Sequence, residues 1–191
     1  MVLAHDTEAA LTRLAALVNT PFGDLAALDA FLRGHQITGS RTHTRAELDA
    51  VRALRPRFRR FWEIGEDDLV ETVNDLLRES RPLPQLVRHD GWGYHLHAVP
   101  PEVPVAVRLT VDAGMALVDV VRTGALDRLR ICAHPDCANV LVDLSKNRSK
   151  RFCDAGCGNR AAASAYRARM TARRLDAPAS SRLRTGDNNG P

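Results

Sequence analysis

The sequence predicts an α+β protein that is mostly α, with a helical N-terminal domain that carries a β-hairpin and a small cysteine-containing unit that ends in a basic helix. Apolar residues recur at helical spacing through much of the first 80 residues. All four cysteines of the chain lie between residues 132 and 157. The formal charge is −4 over residues 1–120, with 13 Lys and Arg against 17 Asp and Glu, and +8 over residues 121–191, with 14 against 6. These observations predict two different units.

The first two helices have clear ends in the sequence. Apolar residues at helical spacing lead up to Asn19, and Pro21 stops this helix because the residue before a proline avoids the helical region. A second short helix is predicted from Asp24 to about Arg33, and Gly34 ends it.

Two longer helices follow in the same domain. Thr44 and Glu47 have the spacing of a capping box, in which the glutamate reaches back to the cap residue and opens the third helix. Pro56 lies inside this helix and is expected to kink or split it. A fourth helix fits residues 67–78, where apolar residues again repeat at helical spacing.

The domain is predicted to end with a hairpin and an apolar helix. Two strands, residues 86–89 and 92–99, flank the turn sequence Asp90-Gly91. Residues 105–124 form the most apolar helix of the chain, and Gly124 is its expected stop. We therefore expect a helical domain over 1–125, a cysteine unit with its basic helix over 126–175, and a disordered tail over 176–191.

The cysteine spacing predicts a metal site. The order is C-x4-C, a gap of fifteen residues, then C-x3-C. Strand-like runs at 129–131 and 140–142 flank the first pair, and the last cysteine opens a helix, which is the order of a treble-clef-like zinc finger. Four thiolates close the coordination shell, so one structural Zn²⁺ is expected rather than a catalytic zinc with an open position. His134, inside the first pair, is expected to cap the turn or to be exposed, with a role as ligand as the alternative.

Basic residues around the second cysteine pair predict contact with a polyanion. Four of them lie in the loop before Cys153 and are expected to hold phosphate groups, and the others lie on the helix after Cys157. On that helix a stripe of alanines is expected to rest on the finger while arginines face outward. Arg160 has a structural alternative, in which it bonds groups inside the finger. The predicted nucleic-acid contacts are Lys146, Arg148, Lys150, Arg151, Asn159, Arg160, Arg167, Arg169, Arg173 and Arg174.

Two segments resemble a known family. Cys157-Gly158-Asn159-Arg160, with the basic loop before it and Ala165-Tyr166-Arg167-Ala168-Arg169 after it, resembles the CGNR zinc finger proteins. Leu17-Val18-Asn19-Thr20 resembles the ABATE-type domain that precedes such fingers, so the likeness covers most of the chain. The resemblance implies a bacterial stress-induced transcription regulator, with the zinc ligands Cys132, Cys137, Cys153 and Cys157.

The function predicted from these observations is DNA-binding regulation of transcription, in which the helical domain senses a small molecule or a protein. Two alternatives remain open: a zinc-scaffolded protein-interaction module, and an RNA-binding protein. A reader of single-stranded RNA usually offers stacking aromatic side chains, and Tyr166 is the only aromatic residue after Cys153. Enzymatic activity is not expected, because we find no phosphate-binding glycine loop, nucleophile elbow or Ser/His/Asp arrangement.

The sequence also bears on location. No apolar run approaches the roughly 20 residues that span a bilayer, and the N-terminus does not resemble a secretory signal. We expect a cytoplasmic protein, associated with the nucleoid if it binds DNA, whose reduced thiols favour metal over disulfides. The sequence leaves the oligomeric state open.

Overall fold

A computed structural model of the chain describes residues 3–88 and 93–175, so the predicted turn at Asp90-Gly91 and the predicted tail lie outside the described residues. The described part is mostly helical with two antiparallel two-stranded hairpins, which confirms the predicted fold class. The helices are α1 (His5–Asn19), α2 (Leu25–Gly34), α3 (Arg45–Arg59), α4 (Glu66–Ser80), α5 (Val105–Arg122) and α6 (Cys157–Leu175), and the strands are β1 (Gln85–Val87), β2 (His95–His97), β3 (Leu129–Ile131) and β4 (Val140–Val142).

The ends of the helices lie close to the predicted positions. The first helix ends at Asn19, two residues before Pro21. The Asp24 side chain caps α2 by accepting a hydrogen bond from the Ala27 N–H at 2.8 Å. After α5, Gly124 adopts a left-handed conformation with a φ of 59°, which a residue without a Cβ adopts at no steric cost.

The capping box at the start of α3 differs from the prediction. Thr44 Oγ1 accepts a bond from the Glu47 N–H at 3.3 Å, as a cap residue does. The Glu47 carboxylate, however, reaches past Thr44, accepts from the Thr42 N–H at 2.6 Å and pairs with Arg41. A guanidinium in front of the helix attracts the carboxylate more strongly than the neutral N–H of the cap residue does.

Pro56 does not split α3. The helix continues past it to Arg59 and passes into a 3₁₀ turn over Arg60–Trp62. This turn directs Phe61 and Trp62 into the core, where Phe61 stacks on Phe58 with ring centroids 5.4 Å apart. The segment after the proline therefore supplies two large core side chains.

The helical core extends into the cysteine unit. Helix α5 packs against α1, α3 and α4, and Leu117 on α5 is fully buried. Val140 and Val142 of β4 belong to this same core, whereas Leu141, between them, belongs to a smaller cluster with the cysteines. Because side chains alternate across a strand, one face of β4 completes the helical core and the other lies on the sulfur atoms.

The first hairpin is shorter than predicted. Strands β1 and β2 have three residues each, and the register pairs Val87 with His95 and Gln85 with His97. Leu86 and Leu96 pair across the two strands and are both exposed. None of the helices in the described ranges combines the length and the apolar character needed to cross a membrane.

Candidate metal centre

The four cysteines converge on one point. Their Sγ atoms all lie within 4.8 Å of one another. Cys153 Sγ is 3.7 Å from Cys137 Sγ and 3.5 Å from Cys157 Sγ. In a tetrahedral site with Zn–S bonds of about 2.3 Å, neighbouring sulfurs are about 3.8 Å apart. The observed separations fit a single zinc ion.

Backbone turns place the first cysteine pair. Cys132 follows β3 directly, and its N–H donates to Asn139 O at 2.8 Å. Between the two cysteines, the Cys137 N–H donates to His134 O at 3.0 Å, and His134 Nδ1 accepts from the Asp136 N–H at 3.2 Å. His134 therefore caps the turn.

Hydrogen-bond donors surround the sulfur atoms. The Cys153 N–H donates to Cys132 Sγ at 3.4 Å, and Asn139 Nδ2 lies 3.6 Å from Cys153 Sγ. Arg160 Nη2 donates to Cys157 Sγ at 2.7 Å, and its Nη1 donates to Ala155 O at 2.8 Å. Donors of this kind orient metal ligands and stabilise their negative charge. The Arg160 side chain thus takes the structural arrangement that the sequence left open.

The acidity of the thiols also fits a metal site. Burial, reinforced by the neighbouring thiols, raises the pKa of Cys157 to about 12. Burial also opposes ionisation of Cys132, but hydrogen bonds from backbone N–H groups lower the pKa of that thiol to about 7. A thiol with the raised pKa of Cys157 does not ionise at neutral pH unless a cation compensates the charge. A zinc ion supplies that compensation, and four thiolates leave no position for a reacting water.

A buried carboxylate organises the loop between the two cysteine pairs. Asp143 is fully buried and accepts hydrogen bonds from Ser145 N–H at 3.0 Å and Lys150 N–H at 2.9 Å. Arg130 pairs with the same carboxylate at 3.3 Å. Burial opposes the charge, but a hydrogen bond from the Ser145 hydroxyl, these two backbone bonds and the Arg130 guanidinium hold the pKa of Asp143 below its usual range. Asp143 was not predicted from the sequence; the available signal is that an aspartate side chain often accepts a hydrogen bond from the backbone N–H two residues further along the chain.

We expect Asp143→Asn to lower the free energy of unfolding by about 2 kcal/mol, because an amide nitrogen would face the Lys150 N–H donor and the charge opposite Arg130 would be removed. Urea unfolding of the zinc-loaded protein measures this. Asp136→Asn, an identical change at an exposed residue of the same finger, should stay within about 0.5 kcal/mol of wild type. Equal stability of the two variants would contradict the role of Asp143.

Two of the four loop residues predicted to hold phosphate are already paired with acids. Arg148 Nη1 lies 2.7 Å from both carboxylate oxygens of Asp127. Lys150 Nζ lies 3.0 Å from Asp154. A phosphate would have to compete with these carboxylates for the two cations.

The other two loop residues have no acidic partner among the described residues. Lys146 is exposed. Arg151 is also exposed, and its guanidinium lies 5.8 Å from the centre of the Phe152 ring. These two cations are the ones within the loop that remain available to an anion.

Helix α6 leaves the finger after its first turn. Phe152 packs beside Gly158, and Ala161 is half-buried, but every residue from 162 to 173 is exposed. The prediction that the alanine stripe rests on the finger is therefore wrong for Ala165, Ala168 and Ala172. A helix of 19 residues is about 28 Å long, and the small finger covers only its first turn. Asn159, Arg167, Arg169 and Arg173 are exposed along this helix, and the side chain of Arg174 lies outside the described part.

Comparisons with known proteins agree with this architecture. Residues 128–170 match the family model of the CGNR zinc finger and contain all four cysteines. Residues 11–124, more than half of the chain, match the ABATE family model, whose description is "Putative stress-induced transcription regulator". A comparison with curated proteins found no match. The chain therefore belongs to the ABATE family and joins an ABATE domain to a CGNR zinc finger with one structural zinc site.

Proposed function

We propose that this protein is a non-enzymatic regulator of transcription that binds DNA through its zinc finger and helix α6. The observation that carries the proposal is the exposure of α6 together with its charge. From Gly158 to Leu175 the helix contains five arginines and no acidic residue, and residues 162–173 are exposed. The major groove of B-DNA is about 12 Å wide and admits an α-helix.

The attachment of α6 favours one side of the helix as the reading surface. Cys157 fixes the helix to the finger on one side. Tyr166 lies nine residues later, about 180° around the helix, and Met170 follows it by one turn. Both side chains are exposed, and Arg167 and Arg173 flank them on either side. Such a surface combines arginine, which binds guanine edges or phosphates, with apolar side chains that can contact thymine methyl groups.

The charge distribution favours one orientation on DNA. The first turns of α4 expose Glu66, Asp67, Asp68 and Glu71, which repel a phosphate backbone. Helix α6 and the exposed loop cations Lys146 and Arg151 attract it. In this proposal DNA approaches from the side of the finger, and the ABATE domain receives the stress signal, as either a small molecule or a protein.

A protein partner is the second candidate, because the exposed alanine stripe and the pair Tyr166 and Met170 could also face another protein. RNA binding is the third candidate. Proteins that bind single-stranded RNA usually stack its bases on several aromatic side chains. Helix α6 has one aromatic residue, Tyr166, so RNA binding is less favoured than DNA binding.

The direct test is fluorescence anisotropy of labelled duplex DNA with the zinc-loaded full chain, over a range of salt concentrations. We expect non-specific dissociation constants of about 10⁻⁴ to 10⁻⁶ M at physiological salt, tightening steeply as salt falls. Single-stranded RNA of the same sequence is the comparison ligand. No affinity for the duplex at low salt would refute DNA binding, and tighter binding of the RNA would favour the RNA-binding alternative.

A further inference from the structure

Three side chains of the helical domain hold the backbone of the zinc finger. We propose that Asn19, Arg59 and Trp62 are positioning residues that couple the state of the ABATE domain to the retention of zinc. The coupling concerns contacts inside the chain, so it goes beyond the proposed function and does not require that α6 binds DNA.

Asn19 acts like one residue of an additional strand. Its Oδ1 accepts from the Val140 N–H at 2.9 Å, and its Nδ2 donates to the Val140 C=O at 2.8 Å. Asn139 and Asp143 bond to the β3 side of the hairpin, so by the alternation of an antiparallel ladder Val140 offers both groups to the outer edge. Asn19 therefore satisfies both backbone groups of one residue at an edge that would otherwise be unpaired.

Two residues at and just after the end of α3 bind the backbone of β4 and of the segment before it. Trp62 Nε1 donates to the Leu141 C=O at 2.9 Å in a buried position. The Arg59 guanidinium donates to the Ala138 C=O, directly after the ligand Cys137. Together with Asn19, these side chains hold backbone groups at three of the first four positions after Cys137.

The packing of β4 connects the helical core to the cysteine cluster. Val140 and Val142 are buried in the helical core, and Leu141 is buried against the cysteines. A shift of α1 against α3 would therefore break the Asn19 bonds, open the valine contacts and disturb the segment next to Cys137. Coupling of this kind is reciprocal: whatever stabilises the present arrangement of the ABATE domain strengthens zinc retention, and zinc stabilises that arrangement.

Asn19→Asp tests the link. An aspartate can accept from the Val140 N–H but cannot donate to the Val140 C=O, and it places a negative charge against that oxygen. We expect release of zinc to a metallochromic chelator to be about tenfold faster than in wild type, with the four cysteines unchanged. Asn74→Asp makes the identical change at an exposed residue of α4 and should release zinc at the wild-type rate.

Trp62→Phe supports the same test if Asn19→Asp fails to fold, because it keeps an aromatic ring at this buried position and removes the N–H donor together with part of the indole. It should release zinc severalfold faster than wild type, with an unchanged far-UV circular dichroism spectrum.

On heating, zinc release and loss of helix should coincide in wild type, and zinc release should come first in either variant. Wild-type release rates in the folded variants, or separate transitions in wild type, would overturn the proposal. Neither zinc release nor loss of helix involves nucleic acid, so a failure of this coupling proposal is distinct from a failure of the DNA-binding proposal.

Discussion

Cys153→Ser is expected to abolish zinc binding and to destabilise the helical domain as well as the finger. Structural zinc in finger peptides contributes about 10–16 kcal/mol of apparent binding free energy, so the small cysteine unit should not stay folded without it. Helices α1 to α5 have a core of their own and should still form. They would lose the burial of Val140 and Val142 in that core, worth about 3 kcal/mol together, which corresponds to a fall of about 10 °C in Tm for a chain of this size.

Elemental analysis and thermal melting followed by circular dichroism measure the two parts of this prediction. Wild type purified under reducing, chelator-free conditions should contain about one zinc per chain. Removal of the metal by a chelator should lower the Tm of wild type to that of Cys153→Ser, and added zinc should restore it in wild type only. Metal-free wild-type protein would refute the zinc assignment. An unchanged helical melting temperature in the mutant would show that the two units are energetically independent.

The parts of the fold that could be predicted from the sequence depend on short-range chemistry. The end of α1 before Pro21 and the cap of α2 at Asp24 involve residues within three positions of each other. The metal site was predictable because two cysteine pairs at close spacing, in a chain with no other cysteine, match the ligand set of a structural zinc. The hairpin around the first pair followed from apolar runs on either side of it.

The parts that could not be predicted depend on contacts between distant residues. Asn19 could be identified as the end of a helix, but its bonds to Val140 span 121 positions. Arg148 resembled a free loop cation, yet Asp127, 21 positions earlier, holds it in an ion pair. The exposure of α6 was missed because its alanine spacing is that of a packed helix, and spacing alone does not show whether a surface exists to pack against.

Replacing Arg167, Arg169 and Arg173 with Gln is expected to weaken DNA binding about 100-fold at 0.15 M salt, if each side chain binds one phosphate. The slope of log K against log salt should become shallower by about 0.9 for each phosphate that the protein no longer neutralises. The reason is that these three arginines are exposed and have no acidic partner among the described residues. Anisotropy titrations of the zinc-loaded variant on duplex DNA give both quantities.

Variants outside α6 separate the effect of contact by this helix from the effect of total charge. Changing the exposed arginines Arg33, Arg45 and Arg122, which belong to other helices, to Gln removes the same net charge outside α6 and should leave affinity nearly unchanged. In the loop, Lys146→Gln should weaken binding, because that cation is exposed and free of acids in the described part of the chain. The double change Arg148→Gln with Asp127→Asn removes an existing ion pair at constant net charge, and we expect it to bind like wild type.

Arg167→Ala alone distinguishes base reading from phosphate contact on α6. If Arg167 reads a base edge, its removal should cost about 1–3 kcal/mol on the preferred site selected from a random duplex pool, and little on other sequences. If it binds phosphate, affinity should fall equally on all sequences and the salt dependence should become shallower. Arg122→Gln, on α5, is the single-site control. Because Tyr166 and Met170 lie between Arg167 and Arg173, a weakening confined to the preferred site would place this surface of α6 in the groove. Weakening by Arg167→Ala equal to that by Arg122→Gln, together with equal weakening by the two triple variants, would instead reduce the role of α6 to bulk charge.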